Sequence, residues 1–74
     1  MGVEDWVKVK IEELRKKYPR FKSSIKSCHF EDAFCIDNEQ VFNTLKDELR
    51  VDGYKFDVRN KWGRFSCAYI FKRQ

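Results

Sequence analysis

The sequence contains few of the residues that build catalytic, cofactor or metal sites. Its 74 residues include three glycines, one proline, one histidine and three cysteines. The glycines are isolated from one another, so they cannot form the glycine-rich loop that cradles a phosphate group. The cysteines are Cys28, Cys35 and Cys67, an odd number without a CxxC pair, which is a poor framework for disulfides.

Long apolar runs are also absent. No stretch approaches the roughly 20 apolar residues that a membrane-spanning helix needs. Glu4 and Asp5 stand near the beginning of the sequence, where a secretory signal would continue into an apolar segment. We therefore expect no membrane association and a cytoplasmic, reducing location in which the cysteines stay as thiols. A Cys28–Cys35 disulfide is the alternative.

The single histidine gives little support for metal binding or catalysis. His29 and the three cysteines are ligand types that zinc accepts, but their spacing matches no established zinc motif. Cys28 and His29 are adjacent, so in a strand they would point to opposite faces and could not act as a nucleophile and its base. We therefore predict no metal, no cofactor, no catalytic residue and no small-molecule substrate, and we interpret the protein as not being an enzyme.

Aromatic residues are plentiful, at 16% of the chain. A chain of this length forms one small domain, residues 1–74, and buries only about 60% of the surface that it exposes when unfolded. Each aromatic side chain can bury roughly 150–250 Å². The aromatic residues therefore make a hydrophobic core possible without disulfides or a metal.

Apolar residues at helical spacing predict the first helix. The positions that share one face are Val7, Ile11, Leu14, Tyr18, Phe21 and Ile25. Pro19 interrupts this stripe, because proline lacks a backbone donor and disfavours helical geometry at the preceding residue. Residues 3–27 form either one kinked helix or a helix that ends near Lys17 and a second helix that begins at Pro19. The unbroken stripe favours the continuous helix.

A second helix is predicted between residues 37 and 50. Asp37 has the character of an N-cap, and Gln40 would complete a capping box with it. Gly53 is placed to end the helix in a left-handed conformation. The residues predicted on the buried face of this helix are Val41, Phe42, Leu45 and Leu49.

Patterns of apolar residues predict three strands: residues 33–37, 54–58 and 64–72, with "NKWG" at 60–63 as the turn between the last two. The last strand is apolar on both faces, which predicts that it lies between the other two and antiparallel to both. A right-handed crossover would make the first two strands parallel. The predicted fold class is α+β, with two helices packed on one face of a three-stranded mixed sheet in the order α-β-α-β-β.

Charge is segregated along the chain, although the net charge is only +4. Residues 8–26 carry eight bases against two acids, residues 27–52 carry seven acids against two bases, and residues 53–74 carry six bases against one acid. One interpretation is that basic and acidic elements pack side by side and neutralise each other. The other is that the two basic segments share a positive surface that attracts an anion.

The C-terminal hairpin combines positive charge with aromatic residues. Most of its other rings are needed to cover the helices: Tyr54, Phe56, Phe65, Tyr69 and Phe71. Trp62 is predicted at the tip, where it has little to pack against. Trp6 lies off the main helical stripe and is a second candidate for exposure. The bases assigned to a binding site are Lys55, Arg59, Lys61 and Arg64 in the hairpin, and Arg15, Lys22 and Lys26 in the first basic segment.

Two functions are consistent with these features. The first is a small module that binds nucleic acid through the hairpin and the basic first helix, with rings stacking on bases and Lys or Arg contacting phosphates. The alternative is a small protein-binding accessory or inhibitor protein, of the kind that phages and viruses encode. It would act through Trp62, the sheet edge or the acidic central segment. The order of strands does not match an RRM, KH or dsRNA-binding module, so no family is assigned.

Overall fold

The computed structural model describes residues 4–28 and residues 32–72. Within these residues the chain forms two α-helices, a short 3₁₀ helix and four strands. In order they are α1 (Asp5–Lys17), the 3₁₀ helix (Pro19–Ser24), β1 (Ile25–Ser27), β2 (Ala33–Ile36), α2 (Glu39–Val51), β3 (Tyr54–Lys61) and β4 (Arg64–Lys72). His29, considered above as a zinc ligand, lies outside the described residues.

The four strands form one antiparallel sheet in the order β1-β2-β4-β3. The predicted three-stranded mixed sheet is therefore wrong on two points: the described residues contain a fourth strand, and every neighbouring pair of strands is antiparallel. The central place of β4 is confirmed, since β2 and β3 pair with its two edges. The α+β class is also confirmed.

The first helix ends where proline interrupts its pattern. α1 stops at Lys17, and Pro19 opens the 3₁₀ helix rather than a kink in one long helix. Tyr18 has φ −127° and ψ 72°, a non-helical conformation of the kind that a following proline favours. Of the two alternatives, the structure has the one in which the helix ends near Lys17, although the unbroken stripe favoured continuity. Ile25, the last residue of the predicted stripe, lies in β1 and is fully buried there.

The hydrophobic core lies between the helices and one face of the sheet. Its buried members are Val7, Ile11 and Leu14 from α1, Val41, Phe42, Leu45 and Leu49 from α2, and Ile25, Phe34, Ile36, Ala68 and Ile70 from the sheet. Trp6 packs at its margin, stacked on Tyr54 at 5.5 Å and edge-on to Phe34 at 6.2 Å between ring centroids. The expectation that Trp6 is exposed is therefore wrong.

The N-cap of the second helix lies one residue later than predicted. The side chain of Asn38 accepts a hydrogen bond from the backbone N–H of Val41 at 3.1 Å, so Asn38 is the N-cap and the predicted capping box of Asp37 and Gln40 does not form. The C-terminal end is as predicted. Gly53 follows the helix with φ +91°, a left-handed conformation that glycine adopts without steric cost.

Strand pairing assigns each side chain of the sheet to one of two faces, because successive residues of a strand alternate. Phe34 pairs with Ile70 and Ile36 with Ala68, and these four side chains point to the helices. The residues between them point the other way, to a surface that we call the open face. Its members are Lys26, Ala33, Cys35, Lys55, Asp57, Arg59, Lys61, Arg64, Cys67, Tyr69 and Phe71. The described helices all pack on the opposite side.

A bulge in β4 changes which residues share a face. Arg59 pairs with Cys67 but Asn60 pairs with Phe65, so Ser66 has no partner on β3. The extra residue interrupts the alternation of β4. Phe65 therefore turns towards α2, where its ring stacks on that of Phe42 at 5.9 Å, while Cys67 stays on the open face.

Candidate nucleic-acid interface

The hairpin of β3 and β4 ends in a two-residue turn. Lys61 and Arg64 form the last pair of the ladder, and between them Trp62 and Gly63 have φ values of +57° and +74°. Positive φ at both central residues defines a type I′ turn, whose twist matches that of the flanking strands. The predicted turn over residues 60–63 is therefore too long, but the positive φ of Gly63 is confirmed.

Trp62 combines an unfavourable backbone conformation with almost complete exposure. The residue is 89% exposed and takes no part in the hydrophobic core. The left-handed conformation costs an L-residue about 1–2 kcal/mol, which is why Asn, Asp and Gly are the usual residues at this position. Within the described residues no ring contact or hydrogen bond of Trp62 offsets this cost.

Five of the seven predicted bases are brought to one side of the molecule. They are the open-face residues Lys26, Lys55, Arg59, Lys61 and Arg64. Lys61 and Arg64 lie at the base of the turn that carries Trp62, and the others continue along the sheet. The structure therefore joins the hairpin bases to Lys26, which is distant from them in sequence.

Two carboxylates partly offset these charges. Asp57 accepts a hydrogen bond from the guanidinium of Arg59 at 2.9 Å, and Asp37 accepts one from Lys26 at 2.6 Å, which raises the pKa of Lys26. The other open-face bases form no ion pair with a described residue: Lys55, Lys61 and Arg64. The uncompensated charge of the open face therefore lies in the hairpin.

Two aromatic side chains that the sequence assigned to the core lie on the open face. Tyr69 and Phe71 are half-buried and two residues apart in the central strand. The guanidinium of Arg59 lies over the ring of Tyr69, 5.8 Å from its centroid. The bulge at Ser66 hides this arrangement from sequence analysis, because simple alternation would place Phe65 and Tyr69 on the same face.

Two of the five bases of α1, Lys10 and Lys17, form ion pairs. Lys10 is buried and contacts Glu13 at 2.7 Å and Asp52 at 3.1 Å. Burial alone would lower the pKa of Lys10, but the two carboxylates outweigh it and the pKa is raised. Lys17 contacts Glu48 of α2 at 3.1 Å. These contacts support the interpretation in which basic and acidic elements neutralise each other.

The two remaining predicted bases lie on the helical side. Arg15 donates two hydrogen bonds to the backbone carbonyl of Ile25, from Nε at 3.1 Å and from Nη2 at 2.6 Å, and so attaches α1 to β1. Lys22 is exposed in the 3₁₀ helix and shares with Arg15 the wall of a shallow cleft of about 440 Å³. The structure therefore does not bring Arg15 and Lys22 together with the hairpin bases.

No disulfide joins the three cysteines. Cys28 donates a weak hydrogen bond from Sγ to the carbonyl of Ala33 at 3.2 Å. Burial, with a smaller contribution from Cys67 and Cys28, raises the pKa of Cys35 to about 11, so this thiol is a poor nucleophile at neutral pH. Among the described residues no group of three or more His, Cys, Asp or Glu side chains could hold a metal ion.

The chain matches no family model, no curated protein and no solved structure. No helix in residues 4–28 or 32–72 has the length and apolar character needed to span a bilayer.

Proposed function

We propose that this protein is a small binding module, rather than an enzyme, and that it binds nucleic acid through the tip of its C-terminal hairpin. The observation that carries the proposal is the presentation of Trp62. Trp62 is almost fully exposed and has a left-handed backbone conformation, in the two-residue turn that joins Lys61 to Arg64. Folding gains nothing from this arrangement, whereas a ligand with flat rings and negative charges would.

The chemistry of the tip fits a nucleic acid. A base can stack on the indole ring, and stacking of this kind contributes roughly 1–3 kcal/mol per base. Phosphates would be attracted by Lys61, Arg64 and, further along β3, Lys55, none of which forms an ion pair with a described residue. A pocket for a small anion would need converging groups, but these side chains are spread along one edge of an open surface.

The proposal assigns no binding role to α1. Arg15 is held by the carbonyl of Ile25, and Lys10 and Lys17 are neutralised by carboxylates of α2 and the residue that follows it. Lys8 and Lys16 of α1 are exposed and form no ion pair with a described residue, but they do not share the open face with the hairpin bases.

The test is binding of a labelled oligonucleotide by fluorescence anisotropy at low salt. Trp62→Asn should weaken binding by about fivefold to a hundredfold, the range that loss of one stacked base implies. Val51→Asn is the matched control, because Val51 is an equally exposed apolar residue (86%) at the end of α2, in the helical layer. Lys61→Ala and Arg64→Ala should each lower the slope of log K against log salt by about 0.7 for a single strand.

A protein partner is the competing outcome, since a lone exposed tryptophan is also a common anchor in protein interfaces. In that case Trp62→Asn would abolish a stoichiometric protein complex, and Lys61→Ala and Arg64→Ala would change it little. Absence of any affinity for single- or double-stranded oligonucleotides at low salt would refute the nucleic-acid proposal.

A further inference from the structure

We infer that the nucleic acid is single-stranded and that it runs from Trp62 along the open face, stacking on Tyr69 and Phe71. This inference rests on the proposed function. The inference adds the class of nucleic acid and two binding residues, Tyr69 and Phe71, that the sequence had assigned to the core.

Each of the three rings has a basic side chain beside it. Trp62 stands between Lys61 and Arg64 at the tip. Tyr69 has the guanidinium of Arg59 above its ring at 5.8 Å. Phe71 is the direct partner of Lys55 across the ladder. Aromatic rings with basic side chains beside them suit a chain of bases and phosphates, because the rings stack on bases and those basic side chains that form no ion pair with a described residue attract phosphates.

The spacing of the rings also suits an extended strand. Tyr69 and Phe71 lie two residues apart on one face, which corresponds to about 7 Å along β4. The eight residues of β3 extend the surface from the tip to Lys55 over roughly 20 Å. Sheets whose open face carries aromatic residues stack two or three unpaired bases in other RNA-binding modules.

The charges predict where the phosphates lie. Asp57 is the direct partner of Tyr69 and is already bound to Arg59, so the middle of the surface is close to neutral. Lys61 and Arg64 at one end and Lys55 at the other form no ion pair with a described residue. Phosphates should therefore contact the two ends, and the central position should contribute mainly stacking.

A duplex would not use this surface in the same way. Its bases are already stacked on one another, and the rings of Tyr69 and Phe71 lie half-buried in a sheet, where they cannot enter a groove. Stacking on these rings requires bases that are not already stacked in a duplex. The open face therefore favours a single strand over a duplex of the same sequence.

The experiment compares single-stranded oligonucleotides of roughly 4, 8 and 16 nucleotides, the range of site sizes of single-strand-binding folds, with a duplex. Tyr69→Leu and Phe71→Leu keep apolar volume but remove the ring, and each should weaken binding of the longer single strands about fivefold to a hundredfold. Circular dichroism and thermal melting check that each variant folds. Photocrosslinking of an iodouridine oligonucleotide to the unmodified protein gives an independent measurement, with Tyr69 or Phe71 as the expected sites.

Three results would overturn the inference. They are unchanged single-strand binding by both folded leucine variants, duplex binding as tight as single-strand binding, and crosslinks confined to Trp62. With any of these three results, binding would still depend on Trp62, so the proposed function would remain supported. Only the inference that the strand binds along the open face would be refuted. Failure of the unmodified protein to bind any oligonucleotide would instead refute the proposed function itself.

Discussion

At the scale of single residues, Trp62 shows a conflict between folding and another demand on the sequence. A type I′ turn prefers Asn followed by Gly, and the chain supplies the glycine but places tryptophan at the first position. Strained residues that nothing in the fold requires tend to occur at functional sites. The position of Trp62 at the tip and its exposure could be predicted from the sequence. The positive φ could not, since bulky residues rarely adopt such a conformation.

The first prediction follows from this conflict. Trp62→Asn should stabilise the protein by about 1 kcal/mol, because asparagine tolerates the left-handed conformation and tryptophan does not. Urea unfolding followed by circular dichroism measures the change. Gly63→Ala is the matched control at φ +74° and should destabilise the protein, although no atom lies within 4 Å of the added Cβ. An unchanged or lower stability for Trp62→Asn would mean that the indole ring helps to hold the hairpin.

The second prediction concerns Glu48 and pH. The hydroxyl of Tyr18 donates to Glu48 at 2.8 Å, and this hydrogen bond, aided by Lys17, lowers the pKa of the carboxyl although burial opposes it. Because the pKa is lower in the folded state, the stabilisation is complete above the unfolded value, about 4.3, and is lost as pH falls through the folded value. Glu48→Gln should remove this part of the acid sensitivity.

The measurement is urea unfolding of both proteins at a series of pH values from neutral down to about 2. The difference in the free energy of unfolding between the two proteins should shrink as the pH falls. Glu39→Gln is the control. Glu39 is a solvent-exposed carboxylate of the same helix and forms no ion pair with a described residue. If Glu48→Gln and the parent lose stability in parallel, the Tyr18–Glu48 contact does not form in solution.

The third prediction tests the core. Leu45 is completely buried in the middle of α2, as its helical spacing predicts. Leu45→Ala should therefore lower the free energy of unfolding by about 2–5 kcal/mol, through lost burial and the cavity left behind. Denaturant titration provides the value. A loss below about 0.5 kcal/mol, the usual size of a surface effect, would show that Leu45 is not in the core.

At the scale of elements, sequence patterns predicted burial better than conformation. Ile25 continues the helical stripe of α1 and is buried as that stripe requires, but it belongs to β1. An apolar stripe indicates which residues face the core. At its last position, a residue can face the core from a short strand as well as from a helix. Likewise, the bulge at Ser66 places Phe65 and Tyr69 on opposite faces of the sheet, and no residue type near it signals a bulge.

The fourth prediction concerns the attachment of β1, a three-residue edge strand. Arg15 reaches from α1 to the carbonyl of Ile25, and a hydrogen bond from a charged group is worth about 1.5–3 kcal/mol. Arg15→Met, which keeps the alkyl chain, should increase amide hydrogen exchange in Ile25–Ser27 more than in β4. Lys16→Met is the control, because the adjacent Lys16 is exposed and forms no ion pair with a described residue. Equal exchange in both variants would show that β1 is held by its pairing with β2 alone.

At the scale of the whole molecule, the fold determines which bases are paired with carboxylates and which are not, and the sequence does not show this difference. Two bases of α1 contact carboxylates further along the chain: Lys17 contacts Glu48 of α2, and Lys10 contacts Asp52, which follows α2. The hairpin bases have only Asp57 nearby. Composition could show that the chain carries an excess of bases, but only tertiary packing decides which of them remain available to a ligand.

The last prediction uses this separation. Lys61→Glu and Lys22→Glu lower the net charge equally, and neither residue forms an ion pair with a described residue, but Lys61 lies at the hairpin tip and Lys22 on the helical side. If the ligand occupies the hairpin, Lys61→Glu should weaken oligonucleotide binding and reduce its salt slope, because at least one phosphate contact is lost. Lys22→Glu should change both quantities much less. Anisotropy titrations at several salt concentrations measure them. Equal losses of affinity in the two variants would mean that binding depends on the overall charge of the protein. The helical side would then have to be included in the binding surface.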